Sequence, residues 1–293
     1  MASRTATQDS RITGYVKGIT SAVLGRRHAG RNLTVLPNDL YVVGYYRSGN
    51  TWSRFLVGNL LNPSNPVTFD NVWQRVPPIY LFPDRVLRTL PRVLMSHECF
   101  DPRYPRVLYI VRDPRDVAVS FYYYALKMRI IADGFAVDDF VTRFIKGEIV
   151  PYANRVGCWE DHVLSWIRLR RGKPGFHLAR YEDLQADTAR EITKWLPVLR
   201  INSSPAEVEQ AVRLSSANKM RSLEEKQSKK WHHTKRSRQD IRFVGAAKSG
   251  GWQEKLSPKS ISAIEHAWGA TMEELGYELT TRPQPLMQKT ALS

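Results

Sequence analysis

The stretch that most constrains this chain runs from Leu40 to Leu61. Leu40-Tyr41-Val42-Val43 is apolar and rich in β-branched and aromatic side chains, so it reads as a short buried strand. Trp52, Phe55, Leu56 and Leu60 recur at helical spacing, so a helix follows. Between them, Gly44-Tyr45-Tyr46-Arg47-Ser48-Gly49-Asn50-Thr51 forms a turn of small polar residues around one cation. A strand, a small-residue turn and a helix together aim backbone N–H groups and a helix N-terminus at an anion. Arg47 adds a fixed positive charge, and Ser48 and Thr51 add hydroxyl donors. Thr51 is also the expected N-cap.

Gly44 and Gly49 have the spacing of a phosphate-binding P-loop, but the next residue is Asn50, where a nucleoside triphosphatase needs Lys. The cation sits inside the loop instead. The composition supports an anionic ligand. A formal net charge of +16 and a pI near 10 call for a phosphorylated cofactor, an acidic glycan, a membrane surface or nucleic acid. The two cysteines, Cys99 and Cys158, have no metal-ligand spacing, which argues against a disulfide scaffold and fits a reducing, cytoplasmic compartment. The first ten residues are polar and lack the apolar core of a signal peptide. No apolar run approaches the roughly 20 residues that span a bilayer.

Strands alternate with helices along the chain. Arg92–Met95 and Arg106–Val111 read as strands, the second running into Arg112-Asp113-Pro114, with Pro114 suited to the first turn of a helix over 117–128. Helices are expected near 136–145 and 159–170, a strand over 175–180, a helix from Thr188 and a closing helix over 260–275. This alternation predicts an α/β fold, a single domain with a central parallel sheet flanked by helices. Its ligands would lie at the carboxyl ends of the strands. The expected boundaries are an N-terminal basic amphipathic segment over 1–37, a domain over 38–280 and a tail over 281–293. In the first segment Ile12, Tyr15, Val16, Ile19 and Val23 share one helical face, ringed by Arg11, Lys17, Arg26 and Arg27. That face either packs on the domain or touches an anionic membrane through residues 10–27.

Prolines at 63, 66, 77, 78, 83 and 91 mark a long irregular region of the kind that shapes substrate pockets. From Lys219 to Arg242 there are nine Lys or Arg against three acids, which reads as a solvated, mobile run. The glycine-rich stretch Val244-Gly245-Ala246-Ala247-Lys248-Ser249-Gly250-Gly251-Trp252 follows it. Together they suggest a lid over a phosphate, with Lys248 or Arg242 reaching it. His162 is taken as structural and His232-His233 as a solvated pair.

Several of these stretches resemble the sulfotransferases that use 3′-phosphoadenosine 5′-phosphosulfate (PAPS). Tyr45-Tyr46-Arg47-Ser48-Gly49-Asn50-Thr51-Trp52 resembles that family's 5′-phosphosulfate loop, which usually carries Lys where this chain has Arg47. Arg112 to Ser120 resembles its 3′-phosphate motif. Arg180-Tyr181-Glu182-Asp183-Leu184, Gly157-Cys158-Trp159 through Trp166, and Gly250-Gly251-Trp252 resemble three further segments. The resemblance covers roughly residues 38 to 275. It implies the sulfotransferase fold, with its P-loop-like strand–turn–helix, and PAPS as cofactor, leaving 3′,5′-adenosine bisphosphate as product. It implies that Arg47, Ser48, Gly49, Asn50, Thr51 and Trp52 hold the 5′ side and adenine, that Arg112 and Ser120 hold the 3′-phosphate, and that Tyr181, Ser215, Lys248 and Gly250 complete the site. His97 falls where the family has its catalytic base, and Arg47 would stabilise the leaving phosphate. No metal is implied.

Three departures from the pattern bear on rate: Arg47 keeps the charge of the loop Lys but is planar and bulkier, Met95 stands where the family has Lys two residues before the base, and Gly245 stands where it has Arg, with Arg242 and Lys248 as candidate replacements there. They read as weakened or lost cations, which predicts a slow enzyme or one with an unusual acceptor. The acceptor itself is a small molecule, lipid or glycan, with Tyr122-Tyr123-Tyr124, Trp73, Tyr80 and Phe82 as candidate walls. Nucleic acid is not expected as a partner, and a homodimer stays open. The rival readings are a P-loop-type small-molecule kinase, which lacks its Lys, and a catalytically weakened anion- or nucleotide-binding protein of the same fold.

Overall fold

A computed structural model describes residues 33–80, 92–149, 156–245 and 248–281. The expected amphipathic helix over 12–27, Phe82, Pro83, Pro91, Ala246, Ala247 and the tail after residue 281 lie outside the described residues. Four strands form one all-parallel sheet: β1 (Leu40–Gly44), β2 (Val93–Ser96), β3 (Arg106–Val111) and β4 (Phe176–Arg180). Their spatial order is β2-β1-β3-β4. The chain therefore leaves β1 in one direction to make β2 and returns on its other side to make β3. The loop after β1 sits at that reversal, which is where an open parallel sheet leaves a crevice for ligand.

The strand sequences are apolar throughout because both faces are covered. On one face Tyr41, Val43, Val107, Tyr109 and Val111 pack with α3 (Pro114–Lys127), α4 (Val137–Ile145), α5 (Trp159–Arg170) and α11 (Pro258–Glu274). On the other, Leu40, Val42, Val93, Met95, Leu108 and Ile110 pack with α1 (Asn50–Leu61), α7 (Thr188–Leu199) and α8 (Pro205–Leu214). The helices begin where capping chemistry directs. Asp113 caps α3 by accepting the Arg115 N–H at 2.9 Å, with Pro114 behind it, and Ser204 and Glu207 close a capping box on α8. The expected cap at Thr51 is not used. Gly49 takes the N-cap position of α1 in the left-handed region, and Thr51 lies inside the helix.

The basic run is folded onto the domain rather than wholly solvated. It holds α9 (Ala217–Gln227) and a series of turns over a third apolar cluster, in which Phe55, Val67, Phe69 and Val72 meet Met220, Trp231 and Phe243. Lys127 donates to the carbonyls of Arg238 and Ile241 at 2.8 and 2.6 Å, and the Glu224 carboxylate accepts the N–H groups of Phe243 and Val244. Apolar anchors in and beside the cationic run decide its packing; Glu224 is buried with them, while most of the run's Lys and Arg side chains are exposed. Among the described residues no helix is long and apolar enough to cross a membrane. None of their His, Cys, Asp and Glu side chains group in threes as metal ligands do.

Candidate active site

All four strands deliver a candidate residue at their carboxyl ends: the 45–49 loop after β1, His97 after β2, Arg112 after β3 and Tyr181 after β4. The turn after β1 is pinned from within. The Asn50 amide donates to the carbonyl of Tyr45 at 2.8 Å, and Asn50 is buried. Gly49 has φ 103°, and a Cβ there would meet the Tyr181 ring at 2.6 Å, so only glycine lets the loop and ring come together. Arg47 is itself left-handed at φ 65°, a conformation that costs a non-glycine residue energy and turns its side chain off the loop.

The Arg47 guanidinium reaches across to α3 rather than lying over the loop. Nε donates to Ser120 Oγ at 3.1 Å and Nη2 to the Phe243 carbonyl at 3.3 Å, and the group lies 4.9 and 5.0 Å from the Tyr124 and Phe243 ring centres. Burial lowers its pKa, and Arg112 lowers it further. Arg112 donates to the carbonyls of Arg47 at 3.4 Å and Lys248 at 3.2 Å, and stands 4.2 Å from the Tyr181 ring centre. Its Nε and the Ser48 hydroxyl are buried without a partner. Trp52 meets Tyr181 edge-on at 5.5 Å. Arg47, Ser48, Gly49, Trp52, Arg112, Ser120 and Tyr181 thus line one crevice, and two orphaned buried polar atoms there fit an anion with several oxygens.

The remaining motifs hold this crevice in place. Trp159 donates its indole N–H to the Arg112 carbonyl at 3.2 Å. Asp116 accepts the N–H groups of Gly250 at 2.7 Å and Trp252 at 3.1 Å, and Ser249 N–H reaches Gln185 at 2.8 Å. The glycine-rich stretch is thereby docked on α3 beside Arg112, with the Lys248 side chain exposed. Arg242 is turned away and pairs with Glu225 at 3.2 Å, both exposed, so it does not serve the crevice. Ser215 is also apart from it. The Ser215 hydroxyl is fully buried and accepts the Asn59 amide at 3.0 Å, a packing contact between α1 and the end of α8.

His97 stands beside the loop. Its Nδ1 lies 2.7 Å from the Gly44 carbonyl, an atom that can only accept, so the ring carries its proton on Nδ1 and leaves Nε2 as the free acceptor. The ring stacks on Tyr46 at 4.2 Å, and the Tyr80 hydroxyl accepts the His97 N–H at 2.6 Å. Burial pushes the imidazole down to about 4. The Gly44 carbonyl opposes this, and Arg54 and then Arg47 add to it. At pH 7 the ring is therefore neutral, with Nε2 unprotonated.

Four features were not read from the sequence. Tyr46 and Tyr80 hold His97. Arg54 is buried near it, donating to the Val76 carbonyl through Nε at 3.0 Å and Nη2 at 2.7 Å, and to the Val72 carbonyl at 3.2 Å, on α2 (Val72–Arg75). His233 is not half of a solvated pair. It stacks on Tyr124 at 6.0 Å, its Nε2 lies 3.3 Å from the Tyr124 hydroxyl, and Trp73 packs against both His232 and His233. Met95 does not leave a gap at the site, because its side chain is buried in the apolar cluster below the sheet. Only the alternation of β2 could have announced this: Val93 and Met95 share the face that Leu94 does not.

The sequence profile for the family described as "Sulfotransferase domain" matches residues 37–276. Mouse (Mus musculus) sulfotransferase 2B1 is 33% identical over 165 residues, covering 52% of this chain and 47% of that protein. Cattle (Bos taurus) sulfotransferase 1E1 is 28% identical over 202 residues, covering 63% of this chain and 66% of that protein. The chain thus spans about half the length of the first curated relatives it matches. Among solved structures, mouse sulfotransferase SULT7A1 complexed with PAP superposes with a TM-score of 0.66 at 22% identity, over 82% of this chain and 86% of that one. Retinol dehydratase in complex with retinol and PAP gives 0.69 at 18% identity, over 86% and 85%. The fold is shared with these proteins.

Proposed function

Because the chain belongs to the sulfotransferase domain family, we propose that it moves a sulfuryl group from PAPS to a hydroxyl or amine of a small-molecule acceptor. The observation that carries this reading is the meeting of three separate elements at one sheet edge. The left-handed Arg47 loop, the Arg112 and Ser120 pair, and a neutral His97 with Nε2 free all face the same crevice. Solved neighbours that hold PAP support the choice of cofactor.

The cofactor, when bound, supplies a sulfuryl group already activated by its anhydride bond to phosphate. The chain's own residues do the rest by position and charge. Arg112 offers a fork of donors to a 3′-phosphate, and Ser120 adds a hydroxyl. The N-terminus of α1, with Ser48, Asn50 and Thr51 around it, faces the 5′ side, and the Gly250 loop is held near Arg112 by Asp116. Trp52 and Tyr181 wall the adenine. His97 takes the acceptor's proton at Nε2, while its Nδ1–H stays on the Gly44 carbonyl and keeps the ring from turning. Arg47 already lies against Ser120, so its charge reaches both phosphate positions from between them.

The test is a thermal-shift comparison of 3′,5′-adenosine bisphosphate with ADP, paired with turnover of PAPS by His97→Ala. The bisphosphate should stabilise the protein more than ADP, and the variant should lose about 100-fold or more in kcat while keeping that stabilisation. Equal stabilisation by both nucleotides would overturn the cofactor reading.

A further inference from the structure

Tyr46 belongs to the anion loop but makes its closest aromatic contact with the base. Its ring lies on the His97 imidazole, with centres 4.2 Å apart and planes 26° apart. It is also near parallel to Phe121, 6.1 Å away at 27°. Phe121 is fully buried on α3 and is braced edge-on by Phe140 and Phe144 of α4 at 5.9 and 6.4 Å. A run of rings thus leads from the packed core to the imidazole. The attachment is double. Ser120 and Phe121 are neighbours on α3, and Arg47 and Tyr46 are neighbours on the loop; Ser120 takes Arg47 at 3.1 Å and Phe121 meets Tyr46. One step of α3 therefore holds both the loop's cation and the ring that backs the base.

The hydrogen bonds at His97 do not fix its plane. The Gly44 carbonyl pins Nδ1, and the Tyr80 hydroxyl holds the main-chain N–H. The last torsion of a His side chain is broad, so an imidazole pinned at one atom can still tilt. Nε2 lies across the ring from the pinned atom and is displaced by that tilt. The other groups that act on the imidazole are Arg54 of α1 and Arg47 of the loop, while His162 of α5 and His233 of the folded basic run feel its charge in turn. Among the described residues the ring stacked on His97 is Tyr46.

We propose that Tyr46 is a positioning residue for His97: its ring, backed by Phe121 of α3, fixes the plane of the imidazole and so the direction in which Nε2 meets the acceptor. The proposal rests on the sulfuryl-transfer reading only in calling that partner an acceptor, since the state of the ring is read without turnover.

The experiment follows the imidazoles of the full chain by nitrogen NMR, with the His97 signals identified by their loss in His97→Gln, and measures steady-state kinetics alongside. The wild type should hold the Nδ1–H tautomer. Tyr46→Phe keeps the flat face, so it should keep that tautomer and a kcat within about threefold of wild type. Tyr46→Leu fills the space without a flat face. It should show a second tautomer and lose about tenfold or more in kcat, while the acceptor KM and the stabilisation by 3′,5′-adenosine bisphosphate change by less than about twofold. Its imidazole should also titrate closer to the ordinary ~6.5 than to about 4, because water reaches the uncovered face, and the acid limb of kcat should move up with it. A wild-type tautomer, titration and kcat in Tyr46→Leu overturn the proposal. Equal losses of kcat in Tyr46→Phe and Tyr46→Leu also overturn it and assign the effect to the hydroxyl. Should Tyr46→Leu not fold, Tyr46→Met takes its place with the same expected results. The tautomer change without any turnover of PAPS by the wild type overturns sulfuryl transfer and leaves Tyr46 as the support of His97.

Discussion

The two ends of the sheet treat a buried guanidinium in opposite ways. At the amino ends of the strands Arg92 is 3% exposed and forks onto both oxygens of Asp39, with Nε on Oδ1 at 2.7 Å. Arg106 lies nearby, bonded to the carbonyls of Val198 and Leu199 at 3.0 and 3.1 Å, and it too feels the charge of Asp39. At the carboxyl ends the partly buried Arg47 and the buried Arg54 bond only to carbonyls and one hydroxyl. At the lower end Arg92 is neutralised by Asp39, so its charge serves stability. At the upper end Arg115 is paired with Asp113 and Glu265 and Arg112 stands 3.9 Å from Asp116, but Arg47 and Arg54 meet no carboxylate among the described residues, and an anion gains there what the fold gives up. Net charge alone does not convey this, because most of the 44 Lys and Arg side chains that make up the basic excess could lie anywhere on the surface.

Breaking the lower end should have the largest effect. Asp39→Ala strips the counter-charge from the buried Arg92 guanidinium and is expected to cost about 3–5 kcal/mol in urea unfolding, because it leaves charge buried and unpaired. Arg54→Gln, which deletes a charge that had no counter-charge, should cost far less. Similar losses from the two variants would erase the distinction between the ends.

Acid should sharpen the same contrast. His97 and His233 are both pushed down to about 4, by burial and by the neighbouring guanidinia. Their folded values lie below the ordinary 6.5, so the unfolded chain binds more protons between pH 6.5 and 4. Stability from these rings is complete above about 6.5 and is lost as pH falls through that window. Between pH 7.5 and 5 each should cost on the order of 1–2 kcal/mol. His233→Gln should flatten the pH slope measured by urea unfolding. An unchanged slope would show that the electropositive end does not hold His233 neutral.

The smallest effect is expected at Arg242. Its exposed pair with Glu225 should contribute less than about 1 kcal/mol, and Arg242→Ala should leave the stabilisation by 3′,5′-adenosine bisphosphate unchanged. A large loss of that stabilisation would return Arg242 to the cofactor crevice.

Much of the architecture was legible because its signals are local. The apolar runs at 40–43 and 106–111 became β1 and β3, and Pro114 marks a helix start that side-chain chemistry explains. The run at 219–242 was expected to be solvated because charge was counted, yet Met220 and Trp231 within it and Phe243 just after it are buried. Met220, Trp231 and Phe243 are 11 and 12 positions apart and come together, with Phe55 and Phe69, only in the folded chain. Met95 was likewise read as a missing charge from its distance to His97, when the face it occupies puts it in the core.

The sequence by itself determined the order of the strands and turns, the family, and which residues arrive at the carboxyl ends of the sheet. The order follows from periodicity and turn chemistry within a few tens of residues, whereas the family and the site residues follow from the resemblance of the motifs to known sulfotransferases. Only the tertiary structure decided the state of those residues. The tautomer of His97 depends on a carbonyl 53 positions away, the reach of Arg47 on a hydroxyl 73 positions away, and the exposure of His233 on Tyr124, 109 positions away. Charge and protonation are set by what lies within a few ångströms after folding, in a medium where each missing counter-charge counts for more than it does in water.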